Sequence, residues 1–475
     1  MTAPTAGSTA GSTAGSTAGS NAGASRPQPE PPRDYRFPFF ERITLDNGLG
    51  VIVAPVRKLP IVSAVVTVDA GAASEPAGAY GVAQLTAQML LEGTRSRSGD
   101  SLGEQFERWG AAVGASADWD AAMLSMTVLA PRLEEAMSLF AEVLLEPAFP
   151  ERELARIKAE RLADLLQLRT EPRGLADEMF TRFVYAESSR YASPEHGDVA
   201  SVKSIDRAAV ERFYQARYRP AGATLILVGD VGVSEGTALA QRLFGGWSGS
   251  AASASVVSDT AARSTRAVHI VRKEDAPQSE IRVGHVGLPR RHPDYFPALI
   301  LNGLLGGLFS SRINLNLREV HAYTYGAHSS FDWRRGAGPF VVSTAVKSDV
   351  TADAAREILL EITRIRADAV TEDELTLATS YLDGVFPIRY ETTDSIARAL
   401  AALTVYELPN DYFDSYRANI RRVTAMDVLH AADRYLHPDQ LQLVVVGDPA
   451  VIAAPLAALD AGPVGVYDAE GQPER

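Results

Sequence analysis

Apolar residues in the first half of the chain follow two spacings. Four short runs rich in β-branched residues, typical of β-strands, cover Val51 to Val56, Ile61 to Val68, Ala122 to Ala130 and Ala223 to Val228. Between these runs, apolar residues recur at every third or fourth position, which predicts amphipathic helices. Because some strands follow one another without an intervening helix, we expect a mainly antiparallel sheet covered by helices. The fold class predicted is therefore α+β, not a doubly wound parallel sheet.

Two predicted helices begin with the spacing of a capping box. In this arrangement a hydroxyl residue is followed three positions later by glutamate, and each side chain binds the backbone N–H of the other residue. Ser101 and Glu104 have this spacing in the first half, and Thr371 and Glu374 have it in the second half. We therefore expect one helix to begin at Ser101 and another at Thr371.

A long internal repeat divides the chain into two similar units. The pair Gly229-Asp230, which ends an apolar run, recurs as Gly447-Asp448 at a displacement of 218 residues. At the same displacement Ile61–Val68 falls on Ser279–Val286, and the strand that ends at Val128 falls on another apolar run. One displacement that serves three separated segments indicates a tandem duplication of a unit of about 200 residues.

Two stretches of small polar residues mark the boundaries of these units. Residues 5–20 repeat Thr-Ala-Gly-Ser four times and are followed by several prolines, so they have too little apolar area to offset chain entropy. A second stretch of small residues has the composition of a flexible linker. The predicted segments are a disordered tail at 1–34, an N-terminal domain at 35–247, a linker at 248–265, a C-terminal domain at 266–460 and a C-terminal tail at 461–475.

Composition excludes several classes of protein. With 46% hydrophobic and 22% charged residues and no run of about 18 uncharged apolar residues, the chain is expected to be globular and without a membrane span. A formal net charge of −13 argues against a nucleic-acid or anionic-membrane partner. The absence of cysteine excludes disulfides, thiolate metal ligands and a cysteine nucleophile. None of the eight histidines precedes His196.

One helical segment gives the chain a specific resemblance. Gly81–Thr94 reads Gly-Val-Ala-Gln-Leu-Thr-Ala-Gln-Met and ends in Gly-Thr. It resembles the pitrilysin/insulinase family of zinc peptidases, whose segment reads Gly-Val/Ile-Ala-His-x-x-Glu-His-Met. The resemblance extends from about Phe39 to about Asp448 and includes Glu146–Phe149 and Phe244–Trp247. It implies two peptidase-like halves that form a clamshell.

The zinc-binding residues of that family are replaced in this chain. Two histidines four residues apart on one helical face bind zinc, and the glutamate between them acts as general base. The matching positions here are Gln84, Ala87 and Gln88, and the family's third ligand aligns approximately with Gln167. A glutamine amide is a poor neutral ligand and alanine accepts no proton. We therefore expect no metal on this chain and no catalytic residue at these positions.

The second half keeps a different part of the family's site. Leu317–Gly326 resembles a signature in which Leu-Arg-Glu is followed by Gly-Leu-x-Tyr, with Ala322 and Tyr323 in place of Gly-Leu. The resemblance implies that Arg318 and Tyr325 bind substrate and donate hydrogen bonds to the developing oxyanion. The alternatives are an ion pair for Arg318 and a half-buried strand position for Tyr325.

Histidines and glycines near this signature suggest further sites. His321 and His328 flank the pair, and we interpret them as surface residues at a loop because no metal motif surrounds them. Gly303, Gly306 and Gly307 form a glycine-rich turn that lacks the Gly-Lys-Ser/Thr of a phosphate loop. The resemblance suggests a substrate-contacting glycine-rich loop as a hypothesis for this turn.

These observations lead to one main hypothesis and two alternatives. The chain is predicted to be the non-catalytic subunit of a two-component zinc metallopeptidase. A homologous partner with an intact His-x-x-Glu-His motif supplies the zinc, and Arg318 and Tyr325 bind the peptide or unfolded-protein substrate. The alternatives are a catalytically dead structural scaffold and a peptide-binding clamp that acts without hydrolysis. No signal sequence is visible, so we expect a cytoplasmic protein, or a periplasmic one if the start is mis-assigned.

Overall fold

The apolar runs of the two halves fold into two six-stranded sheets. The computed structural model describes residues 34–250 and 257–474. The Thr-Ala-Gly-Ser repeat and the rest of the predicted tail up to residue 33 lie outside the described residues, as do residues 251–256 of the predicted linker. Residues from Arg36 onward belong to one unit.

The strands are β1 (Glu41–Thr44), β2 (Gly50–Pro55), β3 (Ile61–Val68), β4 (Ala112–Ala117), β5 (Ala122–Leu129), β6 (Ala223–Gly229), β7 (Ala267–Arg272), β8 (Gln278–Val286), β9 (Ala327–Phe331), β10 (Pro339–Lys347), β11 (Gln442–Gly447) and β12 (Val464–Tyr467). The helices of the first half are α1 (Val82–Met89), α2 (Gly99–Arg108), α3 (Leu133–Leu145), α4 (Glu151–Thr170), α5 (Pro172–Val184), α6 (Val199–Ser204), α7 (Arg207–Arg217) and α8 (Val233–Phe244). Those of the second half are α9 (Tyr295–Asn302), α10 (Arg312–Asn314), α11 (Thr351–Ala367), α12 (Glu372–Arg389), α13 (Thr393–Val405), α14 (Tyr412–Arg422), α15 (Ala425–Tyr435) and α16 (Pro449–Ala458).

The two sheets have matching strand orders. The first runs β1-β2-β6-β3-β5-β4 and the second runs β12-β7-β11-β8-β10-β9. Strand β6 pairs parallel with β2, and β7 pairs parallel with both β11 and β12, whereas the other neighbours are antiparallel. The predicted α+β class, the mainly antiparallel sheets and the tandem duplication are therefore confirmed.

The strand registers show that β3 and β8 are related by a displacement one residue shorter than the predicted 218. Ser63 lies opposite Val228 in the first sheet, and Glu280 lies opposite Val446 in the second. The displacement is thus 218 residues for β6 and β11 but 217 residues for β3 and β8. Because side chains alternate between the two faces, the predicted match of β3 to Ser279–Val286 would have placed every side chain on the wrong face.

Each sheet is covered on one face by a helix from the other half. Helix α13 packs against β3 and β6, and α5 packs against β8 and β11. In the first contact the hydroxyls of Ser63 and Thr393 are 2.8 Å apart. Near the second, the Tyr185 hydroxyl donates to the carbonyl oxygen of Ala337 at 2.8 Å. The two halves of the clamshell are therefore joined by exchanged helices.

The first-half core lies on the opposite face of the first sheet. Its largest fully buried side chains include Leu85 of α1, Phe140 of α3 and Phe244 of α8. Burying a side chain of this size stabilises the fold by about 1.5–3 kcal/mol relative to leaving it exposed. This packing fixes α1, the helix of the zinc-motif positions, against the sheet.

The edge strand of the second sheet comes from the end of the chain. Val464–Tyr467 pairs parallel with β7, so the segment predicted as a C-terminal tail contributes a strand. In the first sheet the corresponding edge strand is β1, which precedes its neighbour and pairs antiparallel with it. The duplication is thus imperfect at this edge.

The two predicted helix starts have different outcomes. Helix α12 begins with the predicted capping box, in which the Glu374 backbone N–H donates to the Thr371 hydroxyl at 3.2 Å and the Thr371 N–H donates to Glu374 at 2.9 Å. The predicted start of α2 at Ser101 is wrong. Its N-cap is Ser98, whose hydroxyl accepts from the Ser101 N–H at 3.3 Å, and Asp100 in the first turn favours this N-terminus.

One helical segment is long and apolar enough to cross a membrane by length and composition. Tyr295–Val320 has 26 residues and a mean hydropathy of 1.3 over its most apolar window. Half of that window is buried inside the protein, and a core helix passes the same test. The segment also contains two π-helical turns, at 303–307 and 315–320. One such segment is therefore weak evidence for a membrane span.

Candidate functional site

The three zinc-motif positions on α1 do not form a metal site. The Gln84 side-chain oxygen accepts a hydrogen bond from the backbone N–H of Ala117, at the end of β4, at 2.8 Å. Ala87 is fully buried in the first-half core, and Gln88 is partly buried. One amide is therefore committed to the sheet and one position has only a methyl group. Zinc does not fit this set of side chains, because it requires imidazole, thiolate or carboxylate ligands.

The described residues around the third position do not gather into an alternative metal site. Gln167 is exposed on α4, and its amide donates to Glu171 at 3.0 Å. His196 lies in the first half, where burial and the nearby Arg161 lower its pKa to about 4. Within residues 34–250 and 257–474, no cluster of three or more His, Asp or Glu side chains has the geometry to hold a metal ion.

Arg318 lies on the π-helical turn 315–320 and is only partly satisfied. Its guanidinium lies over the ring of Phe309, 4.5 Å from the ring centroid, and 3.6 Å from the Glu319 carboxylate. About a third of the side chain is exposed, at 34%, yet its buried Nη1 has no hydrogen-bond partner among the described residues. The ion pair expected as an alternative is therefore present, but at 3.6 Å it is too long for a hydrogen bond. The Nη1 group of Arg318 is left without an acceptor among the described residues.

Tyr325 has an exposed side chain on a fixed backbone. The residue is 97% exposed and precedes β9, so the alternative of a half-buried strand aromatic is wrong. The Thr324 hydroxyl accepts from the Gly326 N–H at 3.1 Å and donates to the Gly326 carbonyl at 2.9 Å. The Thr344 hydroxyl on β10 donates to the same carbonyl at 3.1 Å. This network holds the turn while the phenol extends from the surface.

Tyr325 lines a large cavity next to the second sheet. The cavity has a volume of about 840 Å³, with Phe309 and Tyr325 among its lining residues. Side chains of β8, β9 and β10 also line it, and α5 supplies Arg173 and Asp177 from the first half. The residues that line this cavity do not include Arg318 or the zinc-motif positions of α1. The structure thus places Tyr325 at this cavity and Gln84, Ala87 and Gln88 elsewhere.

The charges in the cavity neutralise one another. Arg282 is 2.6 Å from Asp177 and 2.9 Å from Glu280, and Arg173 is 3.8 Å from Glu280. Partial burial and then the neighbouring Arg282 lower the pKa of His328, which favours the neutral imidazole. The lining therefore offers polar groups and two aromatic rings without a strong field of one sign.

The flanking histidines have different positions. His321 follows the π-helical turn, stacks on Tyr323 with 5.0 Å between ring centroids, and lies 3.8 Å from Glu357. His328 is exposed, as predicted, but it lies on strand β9 at the cavity, so its predicted loop position is wrong.

The glycine-rich turn is packed against the sheet. Gly303 and Gly306 are buried in a π-helical turn, whereas Gly307 is exposed. A Cβ at Gly306 would lie 2.6 Å from the backbone nitrogen of Ser329 on β9. Gly306 is therefore explained by the close approach of the turn to the strand, which differs from the flexible substrate loop hypothesised from the sequence.

A buried ion pair that the sequence did not reveal anchors α1. One Glu75 oxygen accepts from the backbone N–H groups of Gly81 and Ala83 at 2.9 and 2.8 Å. The other accepts from Arg190 at 2.7 Å, and neither side chain is more than 7% exposed. The Arg190 guanidinium also lies 4.2 Å from the ring centroid of Tyr80. Glu75 and Arg190 are 115 residues apart, so no local spacing links them.

The same region connects the two halves. Arg334 of the second half lies 4.3 and 4.6 Å from the ring centroids of Trp119 and Tyr191. The Arg335 N–H donates to Asp120 at 3.0 Å. Burial raises the pKa of Asp120 to about 6 and that of Glu195 to about 7. These contacts join the two halves.

Two family models match most of the folded region. Residues 52–190 match the family described as insulinase (peptidase family M16), and residues 204–382 match the peptidase M16 inactive domain. The chain belongs to the M16 family. The family resemblance recognised from the zinc-motif helix is therefore confirmed, and the second match coincides with the segment that carries Arg318 and Tyr325.

Curated relatives of this M16 chain are distant but align over most of their length. An uncharacterized zinc protease of Bacillus subtilis is 20% identical over 355 residues, which cover 75% of this chain and 85% of the relative. A probable mitochondrial-processing peptidase subunit beta of Arabidopsis thaliana is 23% identical over 418 residues, which cover 85% and 77%.

Solved structures share the fold. A peptidase M16 inactive domain from Pseudomonas fluorescens superposes with a TM-score of 0.81 and 26% identity, covering 86% of this chain and 98% of that one. A protease from Helicobacter pylori has a TM-score of 0.80 and 20% identity, covering 86% and 100%. This chain therefore has the M16 fold, and the side chains at its zinc-motif positions do not fit zinc.

Proposed function

We propose that this chain is the non-catalytic subunit of a two-component zinc metallopeptidase. A homologous subunit with an intact His-x-x-Glu-His helix supplies the zinc and the general base. This chain supplies the guanidinium of Arg318 and the phenol of Tyr325, which bind the substrate peptide and donate to the oxyanion. The proposal is supported by membership of the M16 family and by the replacement of the zinc-binding residues with Gln84, Ala87 and Gln88.

The observation that carries the proposal is the geometry of Tyr325. Its side chain is 97% exposed while its backbone turn is held by Thr324 and Thr344. A tyrosine that served only the fold would be expected to bury its ring. A donor that must reach a reacting carbonyl gains from a fixed backbone, because no ordering is then required in the transition state.

The state of α1 supports the division of labour between two subunits. Gln84 is bound to the sheet, and Ala87 is packed in the core. On this proposal, zinc-dependent hydrolysis uses a metal site from another chain. We take that chain to be a homologue because the family has two-subunit members. The cavity of about 840 Å³ is the one observation that favours a peptide-binding clamp without hydrolysis. A purely structural scaffold would give the exposed Tyr325 no role.

The test is to purify this chain alone and together with a homologous subunit that carries the intact motif, and to assay both with fluorogenic peptides. We expect activity only from the mixture, with loss on chelation and restoration by zinc. Arg318→Ala and Tyr325→Phe should each lower kcat of the mixture by about 10²-fold or more, as expected for the loss of an oxyanion donor.

A matched control is Tyr323→Phe, which changes another tyrosine of the same turn and should retain activity. Zinc-dependent activity from this chain alone would contradict the proposal. Full activity of the mixture containing both Arg318→Ala and Tyr325→Phe would contradict the composite site. Tight peptide binding by this chain with no hydrolysis in any mixture would favour the clamp instead.

A further inference from the structure

A buried amide connects the two segments that carry the donors. The Asn314 side chain is only 4% exposed. Its Nδ2 donates to the backbone carbonyl of Phe309 at 2.6 Å, and its Oδ1 accepts from the backbone N–H of Ala327 at 3.0 Å. Because one partner only accepts and the other only donates, the orientation of the amide is fixed. Asn314 therefore links the turn at Phe309 to the first residue of β9.

The first bond leads to Arg318. The Phe309 ring lies 4.5 Å from the Arg318 guanidinium, and the contact to Glu319 is longer than a hydrogen bond at 3.6 Å. Phe309 itself is 72% exposed, so core packing does not hold its ring. The bond from Asn314 to its carbonyl holds this residue's backbone. Displacement of Phe309 would remove the surface on which the guanidinium rests.

The second bond leads to Tyr325. Ala327 is the first residue of β9 and follows Tyr325 by two positions. Its N–H is satisfied by Asn314, while Gly326 between them is held by Thr324 and Thr344. The start of the strand and the turn that projects the phenol are therefore fixed together.

We propose that Asn314 is a positioning residue that sets the distance between Arg318 and Tyr325. It acts on Arg318 through Phe309 and on Tyr325 through Ala327. The inference rests on the proposed function, because it concerns the geometry of the same pair. Donors must be held close to their productive geometry, and a displacement of about 1 Å lowers rates by up to 10²-fold.

The decisive variant is Asn314→Asp, because it separates the two bonds. In its ionised form, which is favoured by assaying above neutral pH, the carboxylate still accepts from the Ala327 N–H but has no donor for the Phe309 carbonyl. We expect kcat of the mixed complex to fall roughly tenfold. This loss should disappear when Arg318→Ala is already present and persist in full when Tyr325→Phe is present, because only the link to Arg318 is broken.

Two further variants keep the test interpretable. Asn316 lies on the π-helical turn 315–320, and its side-chain amide donates to Glu357 and Glu361 at 3.0 and 2.8 Å. Asn316→Ala removes this amide and should change kcat by less than about twofold. If Asn314→Asp fails to fold, as judged by its thermal midpoint, Phe309→Leu removes the next contact in the same path, the ring under the Arg318 guanidinium, and must show the same dependence on the Arg318→Ala background.

The outcomes separate the two proposals. If Arg318→Ala and Tyr325→Phe themselves leave the mixed complex at full rate, the proposed function fails whatever Asn314 does. If those variants reduce kcat but Asn314→Asp has no effect, or reduces kcat equally in both backgrounds, the positioning role is wrong. Loss confined to the background with intact Arg318 supports it.

Discussion

Replacing Glu75 by glutamine should destabilise the protein strongly. In the native site one carboxylate oxygen accepts from the N–H groups of Gly81 and Ala83, and the other accepts from Arg190. Glutamine keeps the first oxygen, but its NH₂ group then faces the guanidinium. The helix cap survives, whereas the charge-assisted bonds to Arg190 are lost.

The magnitude follows from what remains around Arg190. Breaking a buried ion pair costs about 3–5 kcal/mol, because the other charge stays buried without its partner. The guanidinium keeps hydrogen bonds to the carbonyls of Ser193, Pro194 and Glu195 at 2.8–3.2 Å. These acceptors place the expected loss near the lower limit, at about 3 kcal/mol. Glu75→Ala should cost more, since it also leaves the helix N–H groups unbound.

The assay is urea unfolding at pH 7.5, followed both by circular dichroism and by the fluorescence of tryptophan, since Trp119 lies 4.9 Å from the Arg190 guanidinium. The double variant Glu75→Gln with Arg190→Met should be less destabilised than the sum of the single variants, because no buried charge remains. Glu135→Gln, at an exposed ion pair, should change the free energy of unfolding by less than about 0.5 kcal/mol. A loss below about 1 kcal/mol for Glu75→Gln, or strict additivity, would refute the reasoning.

Three further predictions concern other parts of the fold. Burial raises the pKa of Glu195 to about 7. The contribution of this carboxyl group to stability is therefore full below its ordinary pKa of 4.5 and is lost as pH rises through 7. Glu195→Gln should stabilise the protein by about 1–3 kcal/mol at pH 8 and little at pH 4.5. Ala322 has a φ of +53°, so Ala322→Gly should raise the free energy of unfolding by about 0.5–1 kcal/mol. A protease site inserted between residues 250 and 257 should allow cleavage without separation of the halves, measured by gel filtration, because α5 and α13 are each packed on the other half.

Each of these has a control and a contrary outcome. Glu160→Gln, at an exposed position, should show no difference between the two pH values, and an equal response of both variants would exclude burial as the cause. Ala163→Gly in the exposed interior of α4 should cost about 1 kcal/mol, opposite in sign to Ala322→Gly. Fragments that elute separately after cleavage would show that the exchanged helices do not hold the halves together.

Local patterns predicted the elements and the lost zinc motif. The period of the apolar residues predicted the four buried strands of the first sheet and missed β1 and β4, whose residues are mostly exposed or half-buried. The capping-box spacing was correct at Thr371 but not at Ser101, because Ser98 caps that helix one turn earlier. The replacement of histidines by Gln84 and Gln88 is visible in the sequence because ligand spacing on a helix is local. Those features depend on residues within a few positions of one another.

Features that join distant segments could not be predicted in this way. An amphipathic pattern shows that α13 buries one face, but it does not show that the face covers the sheet of the other half. The bonds of Asn314 and the pairing of Glu75 with Arg190 depend on how loops meet after folding. The register of β8 depended on strand pairing, since sequence displacement alone was wrong by one residue.

The exchange of α5 and α13 has a consequence for the origin of the chain. A single repeat would leave one face of its sheet without the helix that covers it, and such a unit would be poorly soluble alone. Two identical copies that traded this helix would cover both faces, in the manner of a domain-swapped homodimer. Fusion of the two genes would then make the trade intramolecular.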